Sequence, residues 1–149
     1  MENKTVKKEI IINASRDEVW QALTDPEMIK TYLFGSDVVT DWEIGHPIVF
    51  KGEWEGVFYE DKGTILELIP QKLIKYNYWS SMSGTEDFPE NYSVITYHLS
   101  EEESGVKLAI SQNGFSNQQA YDHSVENWDI VLNSIKGLLE KNEVSKTND

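Results

Sequence analysis

Four side chains with polar tips sit on strand faces that are otherwise apolar, and they are the residues of this 149-residue chain best placed to recognise a ligand. Between 73 and 80, Ile74, Tyr76 and Tyr78 alternate with Lys75 and Asn77. Between 92 and 100, Ile95, Tyr97 and Leu99 share one face, and Thr96 and His98 the other. Between 106 and 113, Leu108, Ile110 and Gln112 oppose Lys107, Ala109 and Ser111. A buried hydroxyl or amide needs a partner. Two arrangements satisfy Tyr76, Tyr78, Tyr97 and Gln112. One is a filled core in which each tip reaches the rim or a main-chain group. The other is a hydrated or ligand-filled cavity, an apolar pocket with a few convergent polar groups.

The ordinary reactive groups are dispersed. His46 falls in a turn, His98 on the outward face of its strand and His123 off the main stripe of a helix. None has metal-ligand spacing. Glu101, Glu102 and Glu103 form a solvated hairpin tip. Glu67 lies on a strand whose alternation does not assign its face. No carboxylate pair is set up as acid and base, and there is no nucleophile elbow, phosphate loop or dinucleotide fingerprint. With no cysteine in the chain, disulfides, thiolate metal sites and cysteine nucleophiles are excluded. No catalytic residue, metal ligand or cofactor is therefore expected.

The elements that must position the four polar tips follow from periodicity and caps. Val6 to Asn13 reads as a first strand, rich in β-branched residues. Ser15 and Glu18 have capping-box spacing and open a short helix with Val19, Trp20 and Leu23 on its apolar face. Asp25 caps a second helix, with Pro26 at its first position, and Gly35 ends it. From Ser36 to Asn113 the pattern is strand and turn. Strands are expected at Val38–Trp42, Ile48–Trp54, Val57–Glu60, Thr64–Ile69, Leu73–Ser80, Tyr92–Ser100 and Val106–Asn113, with Asp61-Lys62-Gly63 as a turn or bulge. Residues 81–91 form a long loop. Ser116 and Gln119 suggest a second capping box, opening a long helix. Tyr121, Val125, Trp128, Leu132, Ile135 and Leu139 recur on its buried stripe. Gly137 lies inside that helix, where close approach to a strand would explain it. The fold expected is α+β: one domain over 1–141, with a curved antiparallel meander around the terminal helix, and a polar, frayed tail over 142–149.

Composition limits the partners. The formal net charge is −13, which opposes nucleic acid and anionic lipid surfaces. No apolar stretch is long enough for a signal peptide or a membrane span, so a cytoplasmic location is expected.

Local segments carry a resemblance. IIINASRDEVWQALTDPEMIKTYL, WEIGHPIVF, KGTILELIPQKLIKYNYW, VITYHL and VKLAISQNGF, followed by the helix with Trp128, resemble in order and spacing the family named after the activator of the heat-shock ATPase. That family belongs to the START-like (SRPBCC) superfamily of helix-grip proteins. The resemblance implies a cavity between sheet and terminal helix that takes a lipid-like, polyketide-like or aromatic molecule. Tyr76, Tyr78, Ile95, Tyr97, Leu108, Ile110 and Gln112 would line it from the sheet, and Tyr121, Val125, Trp128 and Leu132 from the helix. Trp54, Phe58 and Phe88 are candidates for its mouth. The leading expectation is non-catalytic binding of a small hydrophobic molecule. A cyclase, dehydratase or hydrolase using the same cavity, and a chaperone-related or stress-response interaction module, are the alternatives. The chain begins at the first strand, without the N-terminal region of the founding eukaryotic members, which counts against a chaperone partner.

Overall fold

The structure is a computed structural model that describes residues 4–148 except 82 and 116, with side chains through 140. Strand β1 spans Thr5–Ile12 and is followed by helices α1, Arg16–Thr24, and α2, Pro26–Tyr32. Strands β2 (Asp37–Val39), β3 (Pro47–Trp54), β4 (Val57–Ile69) and β5 (Leu73–Tyr78) come next. A single 3-10 turn at Pro89–Asn91 leads to β6 (Ser93–Glu102) and β7 (Gly105–Asn113), and the chain ends in α3, Gln118–Asn148. The sheet is antiparallel throughout, in the order β1-β7-β6-β5-β4-β3-β2, so the first and last strands are neighbours. This is an α+β helix-grip architecture.

Local chemistry explains the helix starts. Ser15 Oγ accepts from the Glu18 N–H at 3.1 Å, and the Ser15 N–H donates to the Glu18 carboxylate at 3.0 Å, completing the capping box. Asp25 closes α1 and caps α2, its carboxylate accepting from Glu27 N–H at 3.0 Å. Gly35 follows with φ of 82°, as expected of a helix end. At the start of α3, Asn117 Oδ1 accepts from Ala120 N–H at 2.8 Å. Ser116, expected to cap this helix, lies outside the described residues. So do the side chains of the segment expected to fray.

Helix α3 is fastened along β1. Lys8 pairs with Asp129 at 3.2 Å, Lys136 donates to the Ile11 carbonyl at 2.7 Å, and the Asn13 N–H donates to Glu140 at 2.8 Å. Between them, Val131, Leu132, Ile135 and Leu139 are buried with Val6 and Ile12 in one continuous core.

Three expectations are corrected and one open assignment is settled. Asp61-Lys62-Gly63 is neither a turn nor a bulge. β4 runs unbroken through it, and the main chains of Lys62 and Trp79 exchange hydrogen bonds of 2.9 and 2.8 Å. A glycine inside a run reads as a turn by composition, but here it permits close approach, since a Cβ at Gly63 would collide with the Asn77 carbonyl. The ambiguous alternation after it arises from a register shift between Ile65 and Glu67. Ile65 and Leu68 therefore face inward, while Glu67 faces outward and pairs with Lys75 at 3.3 Å. β2 stops at Val39 rather than Trp42, because the chain turns there with Trp42 at φ 60°. Gly137 is exposed, with open space where a Cβ would lie, so no strand approaches it.

These two glycines make opposite predictions. Gly63→Ala is expected to lower stability by about 1–3 kcal/mol through overpacking. Gly137→Ala is expected to raise it by about 0.8–1 kcal/mol through helix propensity. Urea unfolding of the two variants checks both signs.

Candidate functional site

Register settles which side chains share the inner face. Tyr76 pairs with Ile65 on one side and Ile95 on the other, and Ile95 pairs with Gln112. Tyr97 stands between Ile74 and Ile110. Ile48 and Phe50 continue the face on β3, and Val38 on β2. All of these are buried.

Aromatic rings form a row across this face. Phe50 lies 5.9 Å from Tyr76 and 5.9 Å from Tyr78, Tyr76 lies 6.4 Å from Tyr97, and Tyr97 meets Trp128 of α3 edge-on at 5.8 Å. These are the tilted and T-shaped geometries that aromatic quadrupoles favour.

The polar tips are bonded unequally. Trp128 Nε1–H donates to Gln112 Oε1 at 2.8 Å, and Gln112 Nε2–H donates to Ser93 Oγ at 3.0 Å. Tyr78 donates to the Asp61 carboxylate at 2.6 Å, which also accepts from Ser81 N–H at 3.2 Å. Tyr59 and Ser36 hydroxyls meet at 2.5 Å, and Tyr32 donates to the Ala22 carbonyl at 2.9 Å. Tyr76 and Tyr97 interact through their hydroxyls.

Burial raises the pKa of Tyr32, Tyr76, Tyr78 and Tyr97 above the usual tyrosine value of 10.0. Neighbouring tyrosines add to the effect at Tyr32 and Tyr76, and the Asp61 charge adds to it at Tyr78.

Elsewhere, Asp41, Glu43 and His46 bring three potential metal donors within 4.8 Å of one another, all exposed. His46 Nδ1 lies 2.6 Å from Asp41, which raises the imidazole pKa and lowers that of the carboxyl. Two open depressions also lie away from the inner face. One, about 290 Å³, includes Lys7, Thr96, His98 and Ser111. The other, about 730 Å³, includes Asn13, Gly105, Lys136 and Glu140. Neither includes Tyr76, Tyr97 or Trp128, where buried aromatic and hydroxyl groups converge, so the inner face is the better candidate site.

A protein-family model described as Activator of Hsp90 ATPase homolog 1-like protein matches residues 13–140. The chain belongs to this family. Among solved structures, the solution structure of a protein from Cytophaga hutchinsonii is 41% identical, with a TM-score of 0.82, covering 97% of this chain and 99% of that one. The Aha1 dimer from Colwellia psychrerythraea is 21% identical, with a TM-score of 0.73, covering 92% and 96%. A protein in the dynemicin biosynthetic locus is 13% identical, with a TM-score of 0.78, covering 94% of this chain and 48% of that one. These last two show likeness of fold. No curated protein sequence matches the chain.

In this member of the Activator of Hsp90 ATPase homolog 1-like family, the structure brings Tyr76, Ile95, Tyr97, Leu108, Ile110, Gln112, Trp128 and Leu132 together as buried residues. Tyr78 and Val125 pack half-buried at the margin. Tyr121 is turned aside. Its ring meets Phe115 edge-on at 5.5 Å, with Lys4 Nζ 4.9 Å from its centroid. Trp54 pairs with Val57 at the hairpin tip, on the inner-face register, and is exposed. Phe58 pairs with Glu53 on the opposite face, so it does not adjoin Trp54 at a common mouth. Phe88 is exposed in the long loop. Sequence reasoning missed Phe50, Tyr32, Asp61 and Ser93. The Ile48/Phe50 alternation and the apolar stripe of α2 carried a signal for the first two. Asp61 was hidden by its assignment to a turn.

Two predictions follow from these bonds. Gln112→Leu leaves the Trp128 N–H buried without an acceptor and is expected to cost about 1–3 kcal/mol in urea unfolding. Raised folded-state tyrosine pKa values give stability that is fully present below pH 10.0 and is lost as pH rises above it. Tyrosinate absorbance at these four rings is therefore expected to appear together with cooperative alkaline unfolding. Titration of all seven tyrosines without unfolding would contradict the burial.

Proposed function

We propose that this chain binds a small apolar molecule between the inner face of the sheet and α3. The observation that carries this reading is the row of aromatic rings across the inner face, Phe50, Tyr76, Tyr97 and Trp128, which brings apolar ring surface and tyrosine hydroxyls together beneath the helix. Support also comes from the width of the face beyond the β1–α3 seam, which long aromatic side chains span. In this reading the edge-on rings of Tyr97 and Trp128 part to admit the ligand, and Trp54, on the same face at the hairpin tip, flanks the entrance. The family resemblance and the likeness to a protein in the dynemicin biosynthetic locus agree with a small-molecule role.

The role proposed is binding without catalysis. The carboxylate on the inner face, Asp61, is already held by Tyr78 and Ser81, and Glu67 points outward. The histidines are exposed, and none lies on the inner face.

A thermal-shift screen against lipids, flavonoids and aromatic polyketides tests this. A ligand at about a hundred times its Kd is expected to add roughly 2.7 kcal/mol. The shift should vanish in Ile95→Trp, which crowds the inner face, and persist in Thr96→Trp, which points outward. A flat screen on folded protein would contradict the proposal.

A further inference from the structure

We infer that the tip of the β3–β4 hairpin is a docking arm for a basic protein segment that carries an apolar anchor. This goes beyond the small-molecule role proposed above and does not depend on it.

The register shows that the hairpin outruns the rest of the sheet. β2 pairs with β3 as far as Lys51, and on the other side the bridge nearest the tip joins Lys62 to Trp79. Gly52 to Trp54 and Val57 to Tyr59 therefore pair with each other and with no further strand among the described residues. A two-stranded ribbon is marginal by itself in water, so polar residues would suit its bare faces. Instead, Trp54 and Val57 are each 53% exposed on one face, and Phe58 is 69% exposed on the other. Glu55 and Gly56, at φ of 51° and 80°, make a tight turn whose twist matches the strands and fixes the shape of the arm. An exposed apolar cluster of this kind marks an interaction surface. The arm projects, and neither open depression includes Trp54, Val57 or Phe58. It suits a macromolecular partner rather than an enclosed small molecule.

Charge selects the partner. Residues 51–60 carry Glu53, Glu55 and Glu60 against Lys51. Among the described residues, the ion pairs engage none of these three glutamates. A second copy would bring two acidic tips together between molecules of formal charge −13, and an anionic lipid surface would be repelled in the same way. A segment with Lys or Arg beside an aromatic or aliphatic anchor is complementary to both the bare rings and the carboxylates.

The test is a fluorescence-anisotropy titration of the full chain with two labelled amphipathic peptides, one of leucine and lysine, the other with glutamate in place of lysine. The lysine peptide is expected to bind, and the glutamate peptide not to. Phe58→Ser and Trp54→Ser, both at exposed positions, should each weaken binding about tenfold, the scale of one buried aromatic anchor. Ile44→Ser, exposed on the turn beside Asp41 and Glu43, should leave it unchanged. Failure of the lysine peptide to bind the folded protein, equal binding of the two peptides, or an affinity indifferent to both Phe58→Ser and Trp54→Ser would overturn the inference. A dimer in sedimentation that Phe58→Ser disperses would overturn it in favour of a second copy as the occupant.

Discussion

One helix cannot cover seven strands. Strands are spaced about 4.8 Å apart, so the sheet is roughly 29 Å across before it curves. A helix with its side chains is about 10–12 Å wide. α3 is committed to one edge, fastened to β1 by Lys8–Asp129, Lys136 to the Ile11 carbonyl, and the Asn13 N–H to Glu140. Trp128 reaches as far as Tyr97 on β6, and most of the face from there to β2 must be covered by something else. α1 and α2 supply Val19, Leu23, Ile29 and Tyr32, and the remainder falls to long side chains on the sheet itself. That is why the inner face changes character along its width. Aliphatic residues such as Val6, Ile12 and Leu108 lie near the seam, and Tyr97, Tyr76 and Phe50 lie farther out.

Aromatic side chains can span such a width, but tyrosine brings a hydroxyl wherever it reaches. Most of these tips are matched by the chain. The Trp128–Gln112–Ser93 chain ties helix to sheet, and the Tyr78–Asp61 pair ties β5 to β4. The row of aromatic rings beyond the seam is the physical basis for proposing ligand recognition at this face.

Much of this was legible in the sequence because strand alternation and helix periodicity report on facing directly. Tyr76, Tyr97 and Gln112 were placed on one face by period two, and Trp128 opposite them by steps of three and four. The Ser15–Glu18 box and Asp25–Pro26 located two helix starts. What was not legible depended on contacts between distant segments. Gly63 reads as a turn residue unless one knows that the Asn77 carbonyl lies against it, and that error hid Asp61 on the inner face. Gln112 looked like a free ligand donor until the rotation of α3 set Trp128 against it. Tyr121 fits the helical stripe, but its ring is drawn to Phe115 by a partner outside the periodic pattern.

The most direct measurement is an isotope-filtered NMR experiment that records nuclear Overhauser contacts between an unlabelled apolar probe and the labelled protein. The account predicts contacts to the ring protons of Tyr97 and Trp128 and to the methyls of Ile95 and Ile110. Contacts confined to outward residues such as Thr96 and Ala109, or to the exposed Phe58, would contradict it.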